Sequence, residues 1–189
     1  MQGDRRFAEL IRVLPIAFLI ALAQPVVISA QDASTASTAF VGEMLRICVD
    51  TKNDPAAIRA LATSGNWTLI DPATVPAKNR VVVRGKKKGE DRVYQRSAAW
   101  RYERDGLPMV VAIFDIPDLV PRLGRQCEVM AWDLDSAQVD AAIRADARMS
   151  DDSIQGFPMK AYRAAALNLS IDYIAGDIGS KVLHAFTVR

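Results

Sequence analysis

Residues Val13–Ala30, VLPIAFLIALAQPVVISA, form an almost unbroken apolar run behind Arg5, Arg6 and Arg12. A basic start, an apolar middle and a small residue at the end make the pattern of a secretory signal peptide, with Ala30 the last residue removed. The other reading is an uncleaved inner-membrane anchor, because eighteen residues sit at the lower edge of what spans a bilayer of roughly 30 Å. Pro15, Gln24 and Pro25 interrupt the run and suit a cleavage site better than a continuous membrane helix. Either way the rest of the chain matures outside the cytoplasm. The expected organisation is residues 1–30 as signal, 31–37 as a flexible polar leader, and 38–189 as a single domain.

Export decides how the two cysteines, Cys48 and Cys127, are read. In an oxidising compartment an even pair reads first as a disulfide. Closing a loop of about eighty residues contributes on the order of 4–5 kcal/mol if the bridge acts by restraining the unfolded chain. Free or metal-binding thiols are the alternative. The chain has no CxxC, and its single histidine cannot complete a four-ligand zinc site with two cysteines.

Charge removes other classes. Of 24 Lys and Arg and 22 Asp and Glu, three Arg and two acidic residues fall before Gln31, leaving a near-neutral domain. A nucleic-acid binder needs a basic face that displaces counterions, so none is expected here. Half the residues are hydrophobic, enough to build a core and to exclude a disordered chain.

Apolar spacing predicts a first helix over about 39–50, with Val41, Met44, Leu45 and Cys48 on one stripe. Asp54-Pro55 opens a second helix: Asp54 caps, Pro55 sits harmlessly in the first turn, and Gly65 is placed to end it in a left-handed conformation. Strands follow at 67–70, 80–84, 92–104 and 108–114, with Asp105-Gly106 as a tight hairpin turn. A further strand is expected over 127–132, then a helix from Ser136 capped by Asp135. Strands over 160–171 and 181–188 end the chain, with Gly176 and Gly179 in the turn between them. The sum is an α+β domain: an antiparallel sheet of about six or seven strands, helices packed on one face, and one disulfide.

The chemistry-bearing residues are few. His184 with a serine (Ser153, Ser170 or Ser180) and an aspartate would make a small envelope hydrolase, but no serine sits in a Gly-x-Ser-x-Gly elbow. His184 alternates with Val182 and Phe186, which fits a sheet face. Asp133-x-Asp135 and Asp115-x-x-Asp118 offer hard oxygen ligands, yet neither resembles a calcium loop, and capping or turn formation accounts for them. No metal or cofactor is therefore assigned. The most distinctive surface feature is a basic hairpin, Arg84, Lys86, Lys87, Lys88, Arg92 and Arg96. It suits an anionic envelope component or an acidic protein partner; the plainer reading is a solubilising loop tip. Trp67, Trp100, Tyr102 and Trp132 either pack the core or line a ligand pocket, with Trp100, Tyr102 and Arg101 its expected wall and Arg101 or Arg104 receiving a carboxylate.

Arg-Ile-Cys-Val-Asp at 46–50, Asp-Pro-Ala-Ala at 54–57, Gly-Asn-Trp at 65–67 and a strand opening on Cys127 resemble a group of small exported bacterial proteins of unknown function. The likeness covers most of the mature chain. It implies an envelope protein and brings no catalytic residues. The expected function is a non-catalytic binding or interaction module with the basic hairpin as contact surface. The alternatives are the His184 hydrolase and a membrane-anchored protein that touches lipid only through its N-terminal segment.

Overall fold

The computed structural model describes residues 30–76, 80–83, 92–115, 125–153 and 159–189, with backbone alone for 30–33, 80–83 and 92–94. The segment expected as a signal peptide lies, up to residue 29, outside the described residues. So do Arg84, Lys86, Lys87, Lys88 and Asp118.

Helix α1 (Ala30–Met44) begins earlier than its spacing predicts, so helical backbone takes in the 31–37 stretch expected as a leader. It runs on as a wide π-type turn over Leu45–Val49. That turn buries Ile47, Cys48 and Val49 in succession, three neighbours that an ordinary 3.6-residue period would not place on one face. The chain then passes through two left-handed residues, Lys52 and Asn53. The Asn53 Nδ2 donates to the carbonyls of Arg125 at 2.7 Å and Val188 at 3.1 Å, fixing the helix end to the sheet. Helix α2 (Pro55–Ser64) starts as expected, with Asp54 accepting from the Ala57 N–H at 3.2 Å. Gly65 ends it without turning left-handed; Asn66 takes that conformation instead, at φ 52°.

The main sheet has eight antiparallel strands, more than the six or seven expected. They are β1 (Thr68–Ile70), β4 (Ala98–Arg104), β5 (Leu107–Asp115), β6 (Arg125–Trp132), β7 (Ser150–Asp151), β8 (Lys160–Ala164), β9 (Leu169–Ile178) and β10 (Lys181–Val188). Their spatial order is β1-β4-β5-β6-β10-β9-β8-β7. Among the described residues β2 (Arg80–Val83) and β3 (Arg92–Gln95) pair only with each other. The pieces beyond those expected are β7, which no strand signal marked, and the products of breaks in two long expected strands. Arg96 and Ser97 divide 92–104, and a 3-10 turn at Ala165–Leu167 divides 160–171. Gly176 lies inside β9 rather than in the turn. Asp105 and Gly106 both take positive φ, the hairpin geometry their sequence predicts.

Both helices and α3 (Ser136–Arg144) cover one face. Phe40, Met44, Ile47, Ile58, Val139 and Ile143 meet Met109, Val111, Ile113, Val129 and Phe186 of the sheet there. Cys48 and Cys127 are bonded, fully buried and 5.7 Å apart at their Cα atoms, 79 positions apart in sequence. The opposite face carries a smaller cluster, Val110, Ala112, Met130, Leu183 and Ala185, under Val75. Arg96 ties that cover down. Its guanidinium donates to Glu128 at 2.7 Å and to the carbonyls of Val75 and Pro76 at 3.3 Å. Among the described residues no helix is long and apolar enough to cross a membrane.

Candidate ligand groove

A groove of about 490 Å³ opens between the C-terminal half of α1, the turn joining α2 to β1, and the last residues of β4. Glu43 near the end of α1 and Arg46 in the turn that continues it stand three apart, so both side chains leave the same face. Arg46 grips Glu43 through two donors, Nε to Oε1 at 3.1 Å and Nη2 to Oε2 at 2.6 Å. Tyr102, arriving from β4, donates its hydroxyl to the same Oε2 at 2.9 Å. Burial works to raise the Glu43 carboxyl, but the Arg46 and Tyr102 hydrogen bonds outweigh it and hold the group below its ordinary value. Burial, and then the Glu43 carboxylate, push the Tyr102 phenol far above its ordinary value, so it remains a donor.

Trp67 stacks on Tyr102 with ring centroids 4.3 Å apart and planes 15° from parallel. The Arg46 guanidinium lies 5.9 Å from the Trp67 ring centre. The indole reaches this position because Gly65 has no side chain. A Cβ there would stand 2.5 Å from Nε1 and 2.9 Å from Cδ1 of Trp67. The main-chain N–H of Trp67 returns to Ala62 at 2.9 Å, closing the turn beneath the ring. The rim is thus preassembled: one ion pair, one phenol, two stacked rings and the exposed arginines Arg101 and Arg104.

Of the three residues expected to wall a pocket, Tyr102 and Arg101 line this groove. Trp100 does not; it is buried in the core, with Arg59 over its ring. Glu43 and Arg46 were not singled out in the sequence. Their spacing is visible there, but only the fold shows Tyr102 arriving from 59 positions away. Arg92 sits in β3 opposite Val83, and the basic residues between them lie outside the described residues. Arg96, counted with that hairpin, turns inward instead and is almost wholly buried against Glu128.

His184 is fully buried on the helix-covered face. Its Nδ1 is 2.8 Å from the Tyr173 hydroxyl, and among the described residues Nε2 has no hydrogen-bond partner. Burial pushes the imidazole below its ordinary value, outweighing the pull of the Asp133 carboxylate. Ser153 exchanges bonds with the main chain of Ala161 at the sheet's far edge, away from the histidine. Asp135 caps α3 through the N–H groups of Ala137 and Gln138, and Asp133 accepts from Val182. Asp115 ends β5, its main-chain N–H donating to the Ser97 hydroxyl. Among the described residues no three His, Cys, Asp or Glu side chains gather as a metal site.

Fold and groove together define a disulfide-clamped α+β domain with a preformed polar-aromatic rim at one edge of its sheet. No protein-family model matches the chain, and no curated protein or solved structure matches it either.

Proposed function

We propose that this chain is an exported, non-catalytic binding module whose ligand enters the groove beside Trp67 and Tyr102. One observation carries the reading: a stacked aromatic pair, a part-buried Glu43–Arg46–Tyr102 network and two exposed arginines converge on one opening. Export is supported by the apolar segment before Ala30 and by the buried disulfide, a bond that persists in oxidising compartments. The hydrolase reading finds less support, since His184 is sealed from solvent and faces a tyrosine. The basic residues Arg84, Lys86, Lys87, Lys88 and Arg92 stand in this proposal as a second contact for an anionic envelope component or an acidic protein. The pairing of β2 and β3 apart from the main sheet favours that separate role.

The test is amide chemical-shift mapping on the oxidised protein with small probes: N-acetyl-aspartate, glucuronate and benzoate. Shifts gathered at residues 43, 46, 65–68 and 101–104 are the expected result. Saturating probe that moves none of these amides overturns the groove as a binding site. Intact-mass measurement on protein recovered from the producing cell decides cleavage after Ala30: loss of residues 1–30 is expected, and full-length mass supports the anchor.

A further inference from the structure

We propose that the groove receives a neutral glycan, a short chain of sugar rings held through its hydroxyl groups. The inference rests on the reading of the groove as a binding site and names what fills it.

Charge at the opening is matched within the protein itself. Glu43 is engaged by Arg46 and Tyr102. Arg104 has the Asp105 carboxylate at 3.5 Å. Side chains alternate along β4, so Arg101 and Glu103, a cation and an anion, share the other face of that strand. No sign of charge is left over to favour an acidic or a basic ligand. An apolar ligand fares no better, because it would cover carboxylate and guanidinium groups without giving them hydrogen bonds. The class that remains is uncharged and rich in hydroxyls, with apolar C–H surface of its own.

The turn from α2 into β1 supplies groups to hold it. Ser64, Asn66 and Thr68 line the groove there, and all three are exposed. The Ser64 hydroxyl gives its proton to the Leu61 carbonyl at 3.1 Å and keeps its lone pairs for an incoming donor. Among the described residues the Asn66 amide and the Thr68 hydroxyl hold no hydrogen bond. The half-exposed Trp67 and Tyr102 rings supply the apolar part of the lining, against which the C–H edges of a sugar ring pack.

β4 adds one main-chain pair. Its hairpin loop is two residues, Asp105 and Gly106, both at positive φ. Arg104↔Leu107 is therefore the hydrogen-bonded pair, and Glu103↔Pro108 is not. The N–H and C=O of Glu103 point to the flank where β1 ends its pairing at Arg101. One donor and one acceptor are too few to seat a strand. They match a hydroxyl, which gives and takes a hydrogen bond at once. Left-handed Asn66 and the Trp67 N–H bond to Ala62 set the turn in advance, and Tyr102 is pinned to Glu43 at 2.9 Å. Binding then immobilises few protein groups, which is what lets many weak hydrogen bonds add up to measurable affinity.

The experiment uses the full oxidised chain, amide chemical-shift mapping and calorimetry. The probes are three neutral trisaccharides (cellotriose, maltotriose and the N-acetylglucosamine trimer) and the charged galacturonate trimer. At least one neutral sugar is expected to shift residues 43, 46, 64–68 and 101–104. Its affinity should change less than about twofold between about 0.05 M and about 0.5 M sodium chloride, a range over which ionic contacts are screened. Permethylating that sugar removes every hydroxyl donor and should weaken it at least tenfold. N66G/T68V, in which glycine keeps the left-handed turn, should weaken it at least fivefold with little change in the urea midpoint. If that variant does not fold, the permethylated sugar decides alone. A permethylated sugar that binds as well, or a folded N66G/T68V that binds as well, overturns the glycan. So does a galacturonate trimer that binds at least tenfold tighter and loses that advantage in salt. Silence from all three neutral sugars, while N-acetyl-aspartate or benzoate moves the same amides, overturns the glycan and leaves the groove reading standing. Silence from sugars and small probes together overturns both.

Discussion

Replacing both cysteines, as C48A/C127A, isolates what the bridge contributes to the fold. The bond joins positions 79 apart, and restraint of an unfolded loop of that length is worth about 4.5 kcal/mol. Both side chains are fully buried, so the alanines leave little polar penalty and the loss is mainly that of the restraint. A domain of this size has a urea slope of about 2 kcal/mol/M, which converts the loss into a midpoint about 2 M lower. The melting temperature falls by about 10–18 °C, at roughly 2–4 °C for each kcal/mol. Urea unfolding followed by far-ultraviolet circular dichroism, in parallel with unmodified protein kept in reductant, measures it. Because no sulfur surface is exposed, reduction under native conditions should proceed only as fast as the protein opens. A midpoint shift below about 0.5 M, or rapid reduction without unfolding, refutes the clamp.

Other perturbations test other parts of the molecule. Burial pushes the Glu128 carboxyl up, against the pull of its Arg96 partner, so R96M strands a buried charge. It should cost about 3–5 kcal/mol in urea unfolding, and R96M/E128L should recover a good part of that loss. For His184 the folded state holds its proton less tightly than the unfolded chain, so unfolding takes up a proton below about pH 6.5 and stability falls as pH drops through that point. H184Q should remove this slope, up to about 1.4 kcal/mol per pH unit, when midpoints at pH 5.5 and 7.5 are compared; an unchanged slope rules out the histidine as its source. G65A drives a Cβ into the Trp67 indole, so it should unstack Trp67 from Tyr102 and shift tryptophan emission, with a stability cost of about 1–3 kcal/mol.

Much of the frame was legible because it depends on neighbours in sequence. Asp54-Pro55 and Asp135 cap their helices through bonds two or three residues long, and Asp105-Gly106 turns a hairpin by its own dihedral preference. Cys48 and Cys127 were readable as partners only because the compartment was inferred first. The breaks in the sheet were not legible. Nothing local in 92–104 says that Arg96 will leave the strand; the cause is Glu128 and the carbonyls of Val75 and Pro76, distant in sequence and brought near by folding. The groove was half visible for the same reason. Tyr102 and Arg101 stood out as residue types, whereas the Glu43–Arg46 pair resembles any solvated helix pair until Tyr102 closes on it. Trp100 shows the converse, an aromatic whose neighbours place it in the core.

The position of β6 has a bearing on how the molecule comes into being. It is flanked by β5 on one side and on the other by β10, which follows three further strands in the chain. A growing chain that has delivered Cys127 still lacks the segment that seals the far side of that cysteine's strand. Sealing that flank must wait for β10. Deleting β10, Lys181–Val188, should leave that flank of β6 unsealed and prone to association.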